Sequence, residues 1–252
     1  MNRIDRAARL GVAPRFQRHG AQMSSEPGLT LVIANKNYSS WSACPWLTMT
    51  ELGIPFDERM VKFDSADWDD NIATLSPSRL VPVLWEGAPG AGFATFDTIA
   101  IVEHLHELFP DAGVWPPDPR ARSRARSLVA DFHAGYRNLR DAMPMNIRSR
   151  YPGKGMTPEV AAQIDRLCEN WRDTRARYGG AGPFLFGAYC AADAYFTPVA
   201  SRLVTYAVSL AGEGLRYQEA LLRTRAMCTW TEAALEETEF VPMDEPYATP
   251  RG

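Results

Sequence analysis

The chain has 252 residues, 46% of them hydrophobic and 23% charged, with a formal net charge of −3. That length and apolar content suit one large or two ordinary domains, and exclude a disordered chain, a collagen-like repeat or a coiled coil. No apolar run reaches the roughly eighteen residues a membrane-spanning helix needs, and the acidic balance argues against a dedicated nucleic-acid binder, which carries a basic face.

Residues 1–28 are polar, Arg-rich and punctuated by Gly11, Pro14, Gly20, Pro27 and Gly28. They read as a flexible N-terminal extension, with Met23 as an alternative start. Leu29–Ala34 is a continuous apolar run and reads as a buried strand. The turn-prone Asn35–Ser42 leads into a helix over 42–52, with Pro45 in its first turn and Gly53 at its end. Residues 55–62 read as a second strand, 64–76 as an acidic irregular stretch, and 80–85 as a strand interrupted by Pro82. The glycines of 87–92 make a hairpin-like turn before Phe93–Phe96. Asp97 caps a helix over 98–108, whose apolar face is Ile99, Val102, Leu105 and Leu108.

Residues 111–119, with Pro116, Pro117 and Pro119, form a linker. From there the periodicity is helical: one helix over 120–143, a loop over 144–158, a helix over 159–178, a Gly-rich break over 179–187, then helices over 192–211, 218–222 and 224–237. The expected domains are 29–110, mixed α/β, and 120–252, all-helical. The four cysteines (Cys44, Cys168, Cys190, Cys228) and four histidines show no metal-ligand spacing, so no metal is expected. Free thiols in a reducing cytoplasm are the plain reading.

Four segments carry a resemblance: Asn37–Ser42 (NYSSWS), Ser76–Leu84 (SPSRLVPVL), Phe96–Ile101 (FDTIAI) and Phe184–Asp193 (FLFGAYCAAD). Over about 29–240 the chain resembles the glutathione transferases, and within them the bacterial, zeta-like members that use serine. The resemblance implies a thioredoxin-like N-terminal domain, an all-α C-terminal domain and a homodimer. It implies glutathione as co-substrate, a small hydrophobic electrophile as second substrate (or a zeta-type isomerisation), and a detoxification role; the charge balance and the lack of a long apolar run leave neither nucleic acid nor membrane as an expected partner.

The chemistry asks for specific groups. Glutathione is mostly a thiol at neutral pH, and the thiolate is the nucleophile. A hydroxyl donor at the positive end of a helix lowers a thiol pKa. Ser39 and Ser40, between the first strand and first helix, are the candidate catalytic donors. A family spacing of fourteen positions before the helix-ending glycine selects Ser39, with Ser40 the runner-up. Serines at such a place also serve as N-caps.

By the same resemblance Val81-Pro82 is a cis peptide whose Val81 backbone pairs with the cysteinyl part of glutathione, and Asp97 and Thr98 hold its γ-glutamyl end. The family more often has Glu or Gln followed by Ser at those two places. His133, Tyr136, Met143, Asn146 and Arg148 are candidates for the electrophile pocket, and Arg137, Arg140, Arg148 and Arg150 form a basic cluster suited to an anionic electrophile. Cys190 stands where a hydroxyl normally begins a capping box closed by Asp193. Two rivals remain: a catalytically silent glutathione-fold interaction protein, and a redox enzyme using Cys44, which lies only nine residues before Gly53 and so inside the helix.

Overall fold

The computed structural model describes residues 28–248. All of the expected extension except Gly28 therefore lies outside the described residues. The N-terminal half runs β1 (Leu29–Ile33), α1 (Ser40–Leu52), β2 (Asp57–Met60), α2 (Ala66–Leu75), β3 (Val83–Glu86), β4 (Phe93–Thr95) and α3 (Thr98–Leu108). The strands form one sheet in the order β2-β1-β3-β4, with β1 parallel to β2 and antiparallel to β3, and β4 antiparallel to β3. This is a thioredoxin-like sheet with helices on both faces. The continuous apolar run of β1 follows from that burial. Leu31, Ile33 and the facing Leu84 join the main core, while Val32, Val83 and Trp85 join a smaller cluster with Val61 and Leu75.

The smaller cluster explains a difference from the sequence reading. Residues 64–76 are not irregular: α2 covers the second sheet face with Leu75 and Trp68. Ser65 caps it, accepting from the Trp68 amide at 3.1 Å, and the Trp85 indole donates to the Leu75 carbonyl at 2.9 Å. Only Ile72 and Leu75 of the helix are buried, too few to show as a periodic stripe.

α1 also begins earlier than expected, at Ser40, which puts Pro45 in the helix interior rather than the first turn. There it removes one intrahelical hydrogen bond. Packing outweighs that loss, because every residue from Ser42 to Met49 is buried. Gly53 ends the helix in the left-handed region (φ 71°), its N–H reaching back to the Met49 and Thr50 carbonyls, a conformation that costs a β-carbon-bearing residue.

The second half is helical: α4 (Pro119–Ala134), α5 (Arg137–Ala142), α6 (Pro158–Tyr178), α7 (Ala191–Thr205), α8 (Gly212–Leu222), α9 (Arg225–Glu236), then a single 3-10 turn (Pro242–Asp244). The helix expected over 120–143 is two helices, broken where Tyr136 adopts φ 55°. α7 is buried almost throughout and packs on α1, α4 and α8. Its N-terminus is held by Asp193, fully buried, which accepts from the amides of Cys190 (2.9 Å) and Leu185 (3.1 Å) and from the Tyr217 hydroxyl (2.8 Å). Burial pushes the Asp193 carboxyl up to about 6. Cys190 takes the N-cap position, and burial raises its thiol well above the ordinary range.

The box therefore has a strong carboxylate half and a weak thiol half. Cys190→Ser supplies a proper acceptor for the N3 amide, worth about 1 kcal/mol. In a protein of this size that raises the melting midpoint by about 2–4 °C. Scanning calorimetry checks this; a lower midpoint shows that the thiol serves instead as a small apolar side chain.

Candidate functional site

β1 leads into a buried turn, 34–39, that delivers the chain to the start of α1. The turn is pinned from several directions. The Glu237 carboxylate accepts from the Lys36 (2.6 Å) and Asn37 (3.1 Å) amides. Asn37 Nδ2 donates to Asn146 Oδ1 at 3.1 Å, and Asn37 Oδ1 accepts from the Arg148 amide at 2.9 Å. The Tyr38 hydroxyl donates to Glu245 at 2.7 Å. Four residues of the second half, Glu237, Asn146, Arg148 and Glu245, thus fix the turn that positions Ser39 and Ser40.

Those serines have different environments. Ser39 is the N-cap residue of α1 and is 7% exposed. Its hydroxyl donates to Ser42 Oγ at 2.7 Å, and Ser42 Oγ also accepts from the Ala34 amide at 3.2 Å. Ser40 accepts from Arg202 Nη2 at 2.9 Å. Arg202 comes from α7, is 3% exposed, and donates through Nε to the Met143 carbonyl at 2.8 Å.

Two adjoining cavities open beside these residues. One, of about 440 Å³, is lined by Ser39, Ser40, Arg137, Arg140, Arg202 and Asp244 among others. The second, of about 470 Å³, is lined by Ser78, Pro82, Phe96, Asp97 and His133. Trp41, Leu80, Val81 and Arg140 line both, so the cavities meet at the N-terminus of α1. The Trp41 indole lies 5.1 Å from the His133 ring, and the Arg140 guanidinium sits 5.3 Å from the Trp41 ring centroid. Burial lowers the Arg140 pKa, a charge held without full solvation.

The expected residues divide clearly. The Val81-Pro82 bond is cis, and both residues line the second cavity with Asp97 and His133. Asp97 is held by His133, whose Nε2 lies 3.0 Å from Oδ2, and it accepts from the Thr98 amide. Thr98 is wholly buried and its hydroxyl has no partner among the described residues, so its amide and side chain are less available to a ligand than expected.

Tyr136, Met143, Asn146 and Arg148 do not line either cavity, which corrects their expected place. Tyr136 and Met143 are core residues. The Tyr136 hydroxyl accepts from Arg166, Asn146 holds Asn37, and Arg148 reaches Tyr38 and the carbonyls of Glu237 and Glu239. Of the basic cluster, Arg137 and Arg140 face the cavity. Arg148 and Arg150 spend their donors on backbone carbonyls instead. Cys44 is fully buried, its Sγ donating to the Ser40 carbonyl at 3.3 Å, and burial pushes its thiol far above the thiolate range.

The sequence reading missed Arg202 and Asp244. Arg202 sits one helical turn beyond Pro198 in a segment that reads as core, and nothing in the pattern marks it as facing a cavity. Asp244 arrives from a 3-10 turn near the end of the described chain. Among the described residues no group of three or more His, Cys, Asp or Glu side chains is placed to hold a metal, and no helix is long and apolar enough to cross a membrane.

A thioredoxin-like sheet followed by an all-helical half, with a cleft at the start of α1, is the glutathione transferase fold. Residues 38–108 match the family model for the glutathione S-transferase N-terminal domain. The match falls on the N-terminal sheet half, and solved glutathione transferase structures share the fold of the chain as a whole. Among solved structures, a glutathione transferase homologue from Burkholderia with bound glutathione is 20% identical, with a TM-score of 0.62 over 84% of this chain and all of that one. Glutathione transferase Omega 2S from Trametes versicolor is 18% identical, with a TM-score of 0.64 over 87% of this chain and all of that one. A rice glutathione transferase in complex with glutathione is 19% identical, with a TM-score of 0.59 over 84% of this chain and 95% of that one. A curated relative, a probable maleylacetoacetate isomerase of Caenorhabditis elegans, is 24% identical over 117 residues, 45% of this chain. The match spans about half of that relative's length, 53%.

Burial pushes the Asp244 carboxyl up from 3.8 to about 6, against the pull of the Arg202 cation. A carboxyl raised in the folded state takes up a proton on folding, so its effect on stability is most favourable at low pH and is lost as pH climbs through about 6. Asp244→Asn resembles the protonated form at every pH. Relative to the parent, its melting midpoint should be higher at pH 7.5 than at pH 4, a comparison that fluorescence-detected melting makes directly. An equal difference at both pH values shows that Asp244 is solvated in the folded protein.

Proposed function

We propose that the chain is a glutathione transferase of the serine type. Glutathione lies in the second cavity against the Val81 backbone and Asp97, with its sulfur at the start of α1. A small hydrophobic electrophile enters the first cavity. The thiol loses its proton to solvent, the sulfur attacks an electrophilic carbon, and the new C–S bond forms as a leaving group departs or a double bond takes up the electron pair. Reversible addition of the thiolate across a conjugated double bond, allowing rotation, is the isomerase variant, and the maleylacetoacetate isomerase relative favours keeping it.

The observation that carries the reading is the hydrogen bonding of the two serines. A hydroxyl has one proton to give. Ser39 gives its proton to Ser42. Ser40 accepts from Arg202, lines the cavity, and has no acceptor for its own proton among the described residues. This favours Ser40 over Ser39 as the donor to sulfur, with Ser39 ordering the turn. The amides at the start of α1 add a field that favours the anion. The proposed location is the cytoplasm, and the proposed assembly is a homodimer, for which exposed Leu80, Phe93 and Phe96 offer apolar surface.

Conjugation of glutathione to a chlorodinitrobenzene-type electrophile, read by absorbance, tests the activity. Ser40→Ala should lower kcat by roughly 10²-fold, the order of one lost oxyanion-type donor, with the KM for glutathione much less affected. Ser39→Ala should lower kcat less and reduce stability by about 1 kcal/mol. The reverse order restores Ser39 as the donor. Loss of glutathione-dependent reduction on Cys44→Ala, with both serine variants unaffected, refutes the transferase reading. For the assembly, light scattering should give twice the 28.1 kDa chain mass. A value of one chain mass at every concentration refutes the dimer.

A further inference from the structure

Arg202 is a buried cation without an acid partner. Its Nε and Nη2 are used by the Met143 carbonyl and Ser40 Oγ, and its Nη1 has no hydrogen-bond partner among the described residues. Burial pulls its pKa down to about 10, so the charge is held at a cost. The groups whose charges reach it are Arg140 from α5, Cys44 from α1, Tyr206 at the end of α7, and Asp244 from the C-terminal turn. None makes an ion pair with it. A buried cation with no acid partner leaves its charge uncompensated beside the cavity it helps to line, and its contact there is with Ser40.

The geometry also constrains Ser40. A guanidinium has donors only, so it occupies a lone pair of the Ser40 oxygen and cannot receive the Ser40 proton. That proton must point away from Arg202. A charged donor also draws electron density from the hydroxyl and makes its O–H a stronger donor in turn.

We propose that Arg202 is a positioning residue that fixes and polarises the Ser40 hydroxyl toward an anion in the cavity, the glutathione thiolate. This rests on the transferase reading above. No covalent step is added: the thiol proton leaves to solvent, and Ser40 keeps its own proton while donating a hydrogen bond to sulfur.

The test titrates the thiol of bound glutathione by ultraviolet thiolate absorbance from pH 5 to 9. It compares the parent with Arg202→Gln, Arg202→Lys, Ser40→Ala and the Arg202→Gln/Ser40→Ala double variant. Arg202→Gln keeps a donor but loses the charge, and should raise the pKa of bound glutathione by about 1, a roughly tenfold loss of thiolate at pH values below it. Arg202→Lys should raise it less. In the Ser40→Ala background Arg202→Gln should add nothing, the mark of two residues acting as one unit.

Asp244 titrates near 6, inside this range. The series is therefore repeated with Asp244→Asn, where the same difference should persist. S-methylglutathione, which has no thiol to titrate, should bind all variants within about threefold by calorimetry, under 1 kcal/mol of difference.

An unchanged thiol pKa in Arg202→Gln overturns the inference. So does an equal shift with and without the Ser40 hydroxyl, which makes Arg202 a direct partner of the anion. Loss of S-methylglutathione binding in both Arg202 variants assigns a structural role instead and also overturns it. If Arg202→Gln does not fold, Arg202→Lys with and without Ser40→Ala carries the same comparison. Failure of the parent itself to bind S-methylglutathione is a separate result: it removes the transferase reading, and this inference with it.

Discussion

Everything at the site depends on how α1 is buried. It packs on α3 within its own half and on α7 and α9 from the other. Trp46 stands 5.1 Å from Trp230 of α9, ring to ring, with the Lys36 ammonium 5.0 Å from its centroid. Burying Trp46, Leu47 and Met49 contributes about 1.5–3 kcal/mol each. A helix covered on so many sides tolerates an internal proline and cannot rotate without opening the core. Its first turn, and the amide dipoles there, are therefore aimed where the two halves of the chain meet. The two halves are not independent: the sheet supplies the start of α1, and the helical half supplies the surface that fixes it.

The loop before α1 shows the same dependence in polar form. Buried amides at Lys36 and Asn37 need acceptors, and Glu237 supplies both from beyond α9. Glu245 accepts from Tyr38 and also from Tyr151. The C-terminal segment is thus a strap across the site, and it brings Asp244 into the cavity. The cavity it closes holds more cationic than anionic groups, Arg137, Arg140 and Arg202 against Asp141 and Asp244. Arg137 and Asp141 pair with each other at 3.2 Å, and burial favours the neutral form of Asp244. Above about pH 6 the field is therefore that of Arg140 and Arg202 against the one carboxylate of Asp244.

The sequence made legible what local pattern encodes. β1 announced itself by its apolar run, α3 by its cap and stripe, and Gly53 by the end of α1. What it hid was set by contacts far along the chain. α2 buries too little to show a stripe, yet the sheet's second face requires it. The break at Tyr136 has no proline, only a residue held at positive φ between two helices that each pack elsewhere. The electrophile candidates failed for a related reason. Tyr136 and Met143 fall on the single helix expected over 120–143, and the break turns them into the core, while Asn146 in the following loop is taken up by Asn37. Arg202 was illegible because a buried arginine on an apolar helix looks like any other charged residue until the cavity beside it is seen.

The contrast between Ser40 and Cys44 shows why position along α1 decides the chemistry. They are one helical turn apart, and Cys44 is by nature the better nucleophile. A thiolate needs either solvent or a compensating charge. Cys44 has neither. It lies inside the helix with its Sγ directed at the Ser40 carbonyl, an acceptor that favours the protonated thiol, and Arg202 is too weak an influence there to offset burial. Ser40, at the first helical position, meets the positive end of the helix, the cavity and Arg202 together. Among the described residues nothing in contact with it accepts its proton, so no base stands ready to make it a nucleophile. The same feature suits it to donate to an anion that arrives from outside. One turn of helix thus separates a buried structural thiol from a hydroxyl that faces a cavity with its proton uncommitted among the described residues.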